Sequence, residues 1–278
     1  MHNDYELLDS GEGRKLERFG DVIVSRPCDQ AVSEKQAPDA WVGAMASFDR
    51  DRGWQVRGDA GLPASWVVTI NGIVMRLSAT PAGHLGVFPE TRALWDWITE
   101  SLASRQGGAG SVLNLFAYSG GATLAAARAG AAVCHVDASR SMVGRGRENA
   151  ALNGLEAAPI RWITEDVTKF LGREIRRGRT YDTIMLDPPS FGHGVKGEQY
   201  RIDKDLATTL EQCGALLGDG PALVLLTSHT EGVAAAQLER SMGSALGSGD
   251  IASGEMQLTG ASDVRPVSSG VWTRWSRS

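Results

Sequence analysis

An acid, two prolines and an aromatic residue follow one apolar segment of the chain, in residues 181–191, which read YDTIMLDPPSF. A strand that stops at a carboxylate and a stiff Pro-Pro turn presents oxygen acceptors, because each proline fixes its own φ and removes a donor. Open α/β sheets bind ligands at the carboxyl edge of their strands. The pattern favours capture of a planar group that carries an amine or N–H, and a tight turn with a buried phenylalanine is the alternative. The candidate catalytic residues are Asp187, Pro188, Pro189, Ser190 and Phe191.

A pair of glycines marks a second candidate site, in residues 112–123, which read VLNLFAYSGGAT. Gly120 and Gly121 allow the backbone to turn tightly and approach a ligand, and the amides that open the following helix offer donors at its positive end. Turns of this kind also serve NAD and FAD, and others merely pack a helix on a strand. The turn therefore predicts a cofactor site and leaves the type of nucleotide open.

Two further acids end predicted strands. Asp137 follows the run AAVCHV, where a carboxylate suits the hydroxyls of a ribose. It can instead cap the helix that begins near Ser139. Asp166 can accept from an adenine amino group or cap the next helix, and the sequence does not decide between these roles.

Alternating strand and helix patterns must position these residues. From Pro89 onward the apolar spacing is helical, and after residue 108 short apolar runs alternate with helical stretches, which predicts a mostly parallel sheet. Two short runs near residues 255–258 and 270–276 have no helix between them and predict an antiparallel hairpin at the carboxyl end. Strands are predicted at 112–116, 132–136, 160–164, 183–186 and 222–227, and helices at 121–129, 140–153, 166–177, 203–217 and 231–245.

The chain before this region reads as β structure. Alternating runs flank Asn71-Gly72, a strong signal for a hairpin. Residues 29–63 are expected to form a long loop that carries Trp41, Phe48 and Trp54 as anchors. We expect a flexible amino terminus over 1–15, a small β appendage over 16–85 and the main α/β domain over 86–278.

Composition limits the class of protein. The 278 residues are 42% hydrophobic and 22% charged, which is ordinary for a globular protein. No apolar run approaches the ~18 residues that span a bilayer, and the amino terminus is acidic, so we expect a cytoplasmic protein. Three scattered cysteines predict neither a disulfide framework nor a metal site.

The net charge of −5 argues against a surface that grips nucleic acid throughout. Local basic clusters can be solvated helix faces or phosphate contacts; they comprise Arg140, Arg145 and Arg147, and then Arg173, Arg176, Arg177 and Arg179.

These motifs, with VDAS at 136–139 and RENAALNGL at 147–155, resemble the class I S-adenosylmethionine-dependent methyltransferases. The chain is similar to the bacterial branch that holds the large-subunit ribosomal RNA cytosine-C5 and guanine-N7 methyltransferases. The resemblance implies a Rossmann-like α/β fold, S-adenosylmethionine as cofactor, and ribosomal RNA as partner. It also implies cofactor contacts by Phe88, Arg92, Asn114, Phe116, Tyr118, Ser119, Gly120, Gly121, Asp137, Ala138, Asp166, Val167 and Asp187.

Within that set, the resemblance assigns Asn114 to Gly121 to the methionine part of the cofactor, Asp137 and Ala138 to the ribose, and Asp166 and Val167 to the adenine. Phe88 and Arg92 lie in a segment, with Gly86 and Glu90, that encloses the cofactor in the relatives. Asn114 departs from the acid that is common at its position, although an amide still accepts a hydrogen bond from the amino-acid moiety.

One departure from the cytosine-C5 enzymes bears on the reaction. Those relatives carry a cysteine after the fifth strand, because carbon 5 needs covalent activation. Here residues 226–230 read LTSHT. This segment contains no cysteine, so we expect methyl transfer to a nitrogen or an oxygen. Asp187 and the Pro188 carbonyl would accept hydrogen bonds from an amine acceptor. Rim loops are expected to hold the candidate assisting residues Lys196, Tyr200 and His229. For His193 and His229 the alternative to a general base is an exposed loop histidine.

The leading hypothesis is a methyltransferase for a nucleobase nitrogen in ribosomal RNA. The alternatives are a methyltransferase for a small molecule or a protein side chain, a non-catalytic cofactor- or RNA-binding module, and an NAD enzyme. A closed, aromatic-lined pocket under residues 29–63, without a basic track leading to it, would favour the small-molecule alternative.

Overall fold

A computed structural model describes residues 3–58, 61–193 and 197–278. The chain divides into two compact units. The first comprises Met1–Arg92 and Gln257–Ser269, and the second comprises Ala93–Met256 and Gly270–Ser278. The domain boundary expected at residue 86 falls inside the first unit.

Five strands of the first unit form one sheet in chain order. The third and fourth strands are parallel, and the other neighbours are antiparallel. Two further strands form the hairpin predicted around Asn71-Gly72, and both turn residues have positive φ, 47° and 74°, as a type I′ turn requires. The strands are β1 Tyr5–Gly11, β2 Arg14–Phe19, β3 Val22–Pro27, β4 Ala46–Asp49, β5 Gly53–Val56, β6 Trp66–Ile70 and β7 Ile73–Leu77.

Two expectations for the first unit differ from the structure. Residues 5–11 form β1, with Tyr5 and Leu7 buried, where a flexible terminus was expected. Residues 29–63 hold a 3-10 helix, Pro38–Gly43, and the strands β4 and β5, where a long loop was expected. Each of these strands has four residues, too few for a periodic pattern to show in the sequence.

The second unit alternates strands and helices as predicted. Its elements are α1 Arg92–Ala103, β8 Ser111–Leu115, α2 Gly121–Arg128, β9 Ala132–Asp137, α3 Arg140–Leu152, β10 Ile160–Thr164, α4 Val167–Arg176, β11 Thr183–Leu186, β12 Phe191–His193, β13 Gln199–Arg201, α5 Ile202–Gly214, β14 Ala222–Ser228, α6 Ala235–Leu246, β15 Asp250–Leu258 and β16 Val267–Arg277.

A seven-stranded sheet orders these strands β10-β9-β8-β11-β14-β16-β15. The first five are parallel, and β16 runs antiparallel to β14. This confirms the expected Rossmann-like sheet, in which the antiparallel part comes from the carboxyl end of the chain. The chain moves outward from β8 to β10 and returns on the other side of β8 with β11, so the strand order reverses between β8 and β11. Ligands of open α/β sheets bind at that reversal.

Alternate residues of the central strands and the inner faces of the helices build the core of the second unit. Leu113 and Leu115 of β8 and Ile184 and Leu186 of β11 belong to one buried cluster with Phe170 of α4. The helix α1 buries the four residues whose spacing predicted it, Leu94, Trp95, Ile98 and Leu102. Among the described residues, no helix combines the length and the apolar character that a membrane crossing requires.

Candidate functional site

The two candidate loops leave the sheet side by side. Leu115, the last residue of β8, is the register partner of Leu186, the last residue of β11. The Asp187 backbone N–H also donates to the Leu115 carbonyl at 3.4 Å. The structure therefore brings the glycine turn and the Asp-Pro-Pro turn to the same edge, at the point where the strand order reverses.

The loop from Phe116 to Gly120 is a strained segment fixed by neighbouring strands and helices. Phe116 and Tyr118 have φ of 53° and 50°, a region that side-chain-bearing residues seldom adopt. The Tyr118 N–H donates to Asp137 Oδ2 at 2.8 Å, and Asn149 Nδ2 of α3 donates to the Ser119 carbonyl at 3.0 Å. Strain of this kind persists where the surrounding structure holds it, commonly at ligand sites.

The two glycines have different roles. Gly120, with φ of 94°, precedes α2 in the left-handed conformation, and its carbonyl accepts from Leu124 N at 2.9 Å. A Cβ on Gly121 would lie 2.8 Å from Trp95 Cε2, so this glycine makes room for α1. The helix-packing alternative thus holds for Gly121. The first amides of a helix lack intrahelical acceptors, so the start of α2 suits an anionic group.

Asp137 is held at the end of β9 by backbone amides. Its Oδ1 accepts from Ser139 N and its Oδ2 from Tyr118 N, both at 2.8 Å. Burial raises the pKa of Asp137, and these two hydrogen bonds counteract part of that increase. Ser139 caps α3 by accepting from Met142 N, so the helix cap considered for Asp137 belongs to Ser139. Each carboxylate oxygen has a second lone pair, so Asp137 can still accept from ribose hydroxyls.

Asp166 caps α4, because its Oδ1 accepts from Lys169 N at 3.0 Å. The capping alternative is therefore seen, and contact of Asp166 with an adenine stays a prediction. Val167, the first residue of α4, is buried. Ala138 is half-buried between Asp137 and the Ser139 cap.

Asn114 lies beneath the glycine turn in a buried polar chain. Its Nδ2 donates to Thr123 Oγ1 at 2.9 Å, and that hydroxyl lies 2.9 Å from His135 Nδ1. Burial and the charge of Arg147 lower the pKa of His135 to about 3, so the ring stays neutral at ordinary pH. Sequence reasoning gave no role to Asn149, which bonds to the turn, or to Thr123 and His135, which continue the buried polar chain from Asn114.

The Asp-Pro-Pro corner meets the end of β14. His229 Nδ1 lies 3.2 Å from Asp187 Oδ1, and Ser190 Oγ lies 2.8 Å from Thr230 Oγ1. Pro188 is buried, whereas 49% of Phe191 is exposed. The alternative of a buried phenylalanine therefore does not hold.

The other residues expected on rim loops differ in where the structure places them. Tyr200 was expected on the rim and is buried instead, because it packs 4.9 Å from the Phe116 ring and accepts from Thr209 Oγ1. Burial raises the pKa of Tyr200 to about 12, which makes it unsuited to proton transfer. Lys196 and the His193 side chain lie outside the described part of the chain.

Each of the three cysteines is a buried free thiol. Burial raises the pKa of Cys134 to about 11 and that of Cys213 to about 12, and it also raises the pKa of Cys28. A nucleophilic cysteine requires the thiolate. None of these thiols has the environment that covalent activation of a cytosine ring needs.

Phe88 and Arg92 lie in the first unit, and their contacts there are internal. Phe88 packs against the His84 ring at 5.2 Å. Arg92 donates to the Thr259 hydroxyl and stacks 5.1 Å from the Tyr5 ring. Their expected contacts with a cofactor stay predictions.

Comparisons with known proteins bear on these residues. A family model described as S-adenosylmethionine-dependent methyltransferase matches residues 54–232. A crystal structure of an S-adenosylmethionine-dependent methyltransferase from Agrobacterium tumefaciens matches with a TM-score of 0.92 and 38% identity, over 99% of this chain and 90% of that one. A methyltransferase solved with S-adenosylhomocysteine shares the fold, with a TM-score of 0.78 and 19% identity over 99% of this chain and 75% of that one.

Curated relatives match over a shorter segment. Ribosomal RNA large subunit methyltransferase I of Aeromonas salmonicida is 40% identical over 126 residues, which is 45% of this chain and 31% of that protein. The protein of the same name from Shewanella denitrificans is 34% identical over 126 residues, 45% of this chain and 30% of that protein. The matched segment thus spans less than a third of either relative.

Proposed function

The chain belongs to the family of S-adenosylmethionine-dependent methyltransferases, and we propose that its methyl acceptor is a nucleobase nitrogen in ribosomal RNA. The family gives the enzyme class and the cofactor. The observation that supports this methyl acceptor is the position of Asp187 and the Pro-Pro turn at the sheet edge used by the glycine turn, with an exposed Phe191 closing the same Asp-Pro-Pro-Ser-Phe segment. The names of the relatives, which act on ribosomal RNA, support the choice of substrate.

The residues around the glycine turn fit the cofactor. The Asp137 carboxylate, fixed by two amides, is placed to accept from the ribose hydroxyls. The start of α2 is placed to receive the methionine carboxylate. Asn149 holds the backbone of the turn through the Ser119 carbonyl, and Asn114 and Thr123 form a buried side-chain pair next to it. S-adenosylmethionine, when bound, supplies a methyl group on a sulfonium, and the neutral thioether S-adenosylhomocysteine is the leaving group.

The acceptor corner needs little more than position and hydrogen-bond acceptors. Asp187 and the Pro188 carbonyl accept from the amine of the base, which turns the nitrogen lone pair toward the methyl group. Phe191 offers its exposed face to the planar ring, and stacking of a base on an aromatic side chain contributes about 1–3 kcal/mol. A site with these hydrogen-bond acceptors and an aromatic wall fits an exocyclic or ring nitrogen of a base better than an alcohol as the atom that receives the methyl group.

His229 fixes the orientation of the carboxylate from the far side, since its Nδ1 lies 3.2 Å from Asp187 Oδ1. The pair can also take the proton that the nitrogen loses after transfer. Carbon 5 of cytosine is a poor acceptor here, because its activation requires a thiolate and the three thiols are buried.

Transfer of label tests the acceptor. The enzyme is incubated with methyl-labelled S-adenosylmethionine and total nucleic acid and protein from cells that lack the gene. We expect label in large-subunit ribosomal RNA, and nucleoside mass spectrometry should place it on a nitrogen.

Label in the protein or small-molecule fraction, with none in RNA, would reject the RNA substrate. A carbon-methylated nucleoside would reject the role given to the corner. The Asp187→Ala protein serves as the matched control, and label that persists at the full rate in it would place the chemistry elsewhere.

A further inference from the structure

A row of polar side chains runs across three neighbouring strands of the five-stranded sheet of the first unit. Ser25 of β3 is the register partner of Ser47 of β4, which is the partner of Gln55 of β5. All three line a cavity of about 290 Å³. This volume is at the lower end of the roughly 300–1,000 Å³ of small-ligand sites, so the cavity suits a single nucleotide rather than a duplex.

Four cationic side chains also line this cavity, against the single carboxylate of Asp49 among its lining residues. Arg14 donates to Ser25 Oγ at 2.9 Å and to the Phe48 carbonyl at 2.8 Å, and Arg57 donates to the Trp41 carbonyl at 3.3 Å. These acceptors are neutral and orient the two guanidinium groups, and the nearby Asp49 carboxylate offsets part of the charge of Arg14. The other cations are Lys35, which pairs with Glu12, and Arg52, which lies 3.6 Å from Asp49.

The basic clusters of the second unit differ in this respect. Arg145 pairs with Glu148, Arg173 with Glu165, and Arg177 with Glu174. Those three arginines lie within or next to a helix and pair with acids, as on solvated helix faces. In the cavity of the first unit, Arg14 and Arg57 are instead held by neutral oxygens.

A fixed aromatic ring completes the cavity. Trp41 Nε1 donates to Asp9 Oδ2 at 2.7 Å, and Lys35 Nζ lies 4.6 Å from the centre of the ring. The ring is half-buried, and its hydrogen bond to Asp9 orients it in the absence of a ligand. An aromatic wall, hydroxyl and amide groups across the floor, and two oriented guanidinium groups are what a base and its phosphate require.

We propose that this cavity binds one nucleotide of a single-stranded segment of the RNA substrate, with the phosphate at Arg14 and Arg57 and the base against Trp41. The assignment rests on the proposed RNA substrate. A phosphorylated peptide shares the phosphate chemistry, but the aromatic wall and the Ser25–Ser47–Gln55 row match the flat, polar-edged base better. A pocket under residues 29–63 was expected to favour a small-molecule substrate only if it lacked basic residues. This cavity is lined by basic residues, so it does not favour that alternative.

Fluorescence anisotropy of the full-length protein with a labelled single-stranded RNA of mixed sequence tests the site. Arg57→Gln removes one guanidinium at the rim of the cavity. We expect it to weaken RNA affinity about tenfold and to lower the slope of log affinity against log salt by about 0.7, the loss of one phosphate contact. Trp41→Leu should weaken RNA affinity by a similar factor without changing that slope.

Arg50→Gln is the matched control, because Arg50 lies on the β4–β5 connection near Arg57 in the chain, carries the same charge and does not line the cavity. It should leave RNA affinity within about twofold. Far-UV circular dichroism and a cooperative urea transition should be retained in all variants, which shows that each is folded, and calorimetry with S-adenosylhomocysteine should give equal affinity because the glycine turn lies in the other unit.

The outcomes separate the two proposals. If the wild-type protein methylates RNA, and Arg57→Gln and Trp41→Leu bind RNA as tightly as Arg50→Gln does, the cavity is not the nucleotide site. The assignment also fails if a phosphoserine peptide displaces the RNA as well as unlabelled RNA does. If the wild-type protein neither binds nor methylates RNA, the proposed substrate fails first.

Discussion

At the scale of single residues, Asp187 carries the proposed transfer to nitrogen. Asp187→Asn keeps the size of the side chain and removes one anionic acceptor. Loss of a hydrogen-bonding group that acts in the transition state costs about 10²–10³ in kcat. We expect a loss of that order in single-turnover transfer, with affinity for S-adenosylhomocysteine within about twofold by calorimetry. Loss of cofactor binding with unchanged transfer at saturation would instead make Asp187 a cofactor contact.

His229 acts through Asp187 in this account, so its effect should depend on that carboxylate. We expect His229→Ala to lower kcat about tenfold in the wild-type background, since a hydrogen bond to a charged group contributes about 1.5–3 kcal/mol. In the Asp187→Asn background the same substitution should lower kcat less than about twofold. Rates for the four proteins of this cycle measure the coupling. Equal losses in both backgrounds would show that His229 acts on the substrate independently.

His135 should make the second unit sensitive to acid. Its pKa is about 3 in the folded protein, lowered by burial and by Arg147, against 6.5 for an ordinary histidine. Between these values the unfolded chain binds the extra proton, so stability is full above about pH 6.5 and falls as the pH decreases. We expect a loss of about 2 kcal/mol from this group between about pH 7.5 and pH 5.

Urea unfolding at the two pH values, for the wild type and His135→Gln, measures this effect. Glutamine keeps a polar partner for Thr123 and cannot titrate, so the acid-induced loss should be smaller by about 2 kcal/mol. An identical pH dependence in both proteins would mean that other groups govern acid stability.

At the scale of elements, the helix α3 offers a matched pair of glycines. A Cβ on Gly146 would lie 2.6 Å from Trp162 Cζ3, whereas a Cβ on Gly144 meets nothing within 4 Å. Trp162 in turn packs 4.6 Å from the His135 ring. We expect Gly146→Ala to destabilise the protein by about 1–3 kcal/mol through overpacking. Gly144→Ala should stabilise it by about 0.5–1 kcal/mol, because alanine favours a helix.

Denaturant unfolding of both variants compares them directly. Changes of the same sign and size would mean that Trp162 moves aside without cost. Because α3 also carries Asn149, which holds the glycine turn, Gly146→Ala should weaken binding of S-adenosylhomocysteine as well, and Gly144→Ala should not.

Most elements of the second unit were predictable because their signals are local, whereas the three-residue strands β12 and β13 were not predicted. Apolar periodicity marks each strand and helix, and Asn71-Gly72 marks the hairpin of the first unit. Pairing over long separations is not visible in the sequence. The short strands β4 and β5 depend on partners elsewhere in their sheet, and the contact of His229 with Asp187 depends on β14 lying beside β11. For the same reason Tyr200, expected on a rim, proved to be buried against Phe116.

The composition of the cofactor site raises a question at the scale of the whole molecule. Within the second unit, its proposed contacts come from four connections, those that follow β8, β9, β10 and β11. A ligand that bonds to four separate loops has no counterpart in the unfolded chain, where those loops are apart. Binding must therefore raise the free energy of unfolding, by an amount that the ligand concentration and the Kd set.

Thermal unfolding with and without S-adenosylhomocysteine measures that increase. At a ligand concentration of about 100 times its Kd, stabilisation should be about 2.7 kcal/mol. For a chain of this size that corresponds to an increase in Tm of about 5–10 °C. Asp137→Asn, which weakens the ribose contact, should reduce the shift, and NADH at the same concentration should give none. A shift with NADH equal to that with S-adenosylhomocysteine would mean that the glycine turn accepts nucleotides without regard to the methionine group, and the roles given to Asn114 and the start of α2 would then fail.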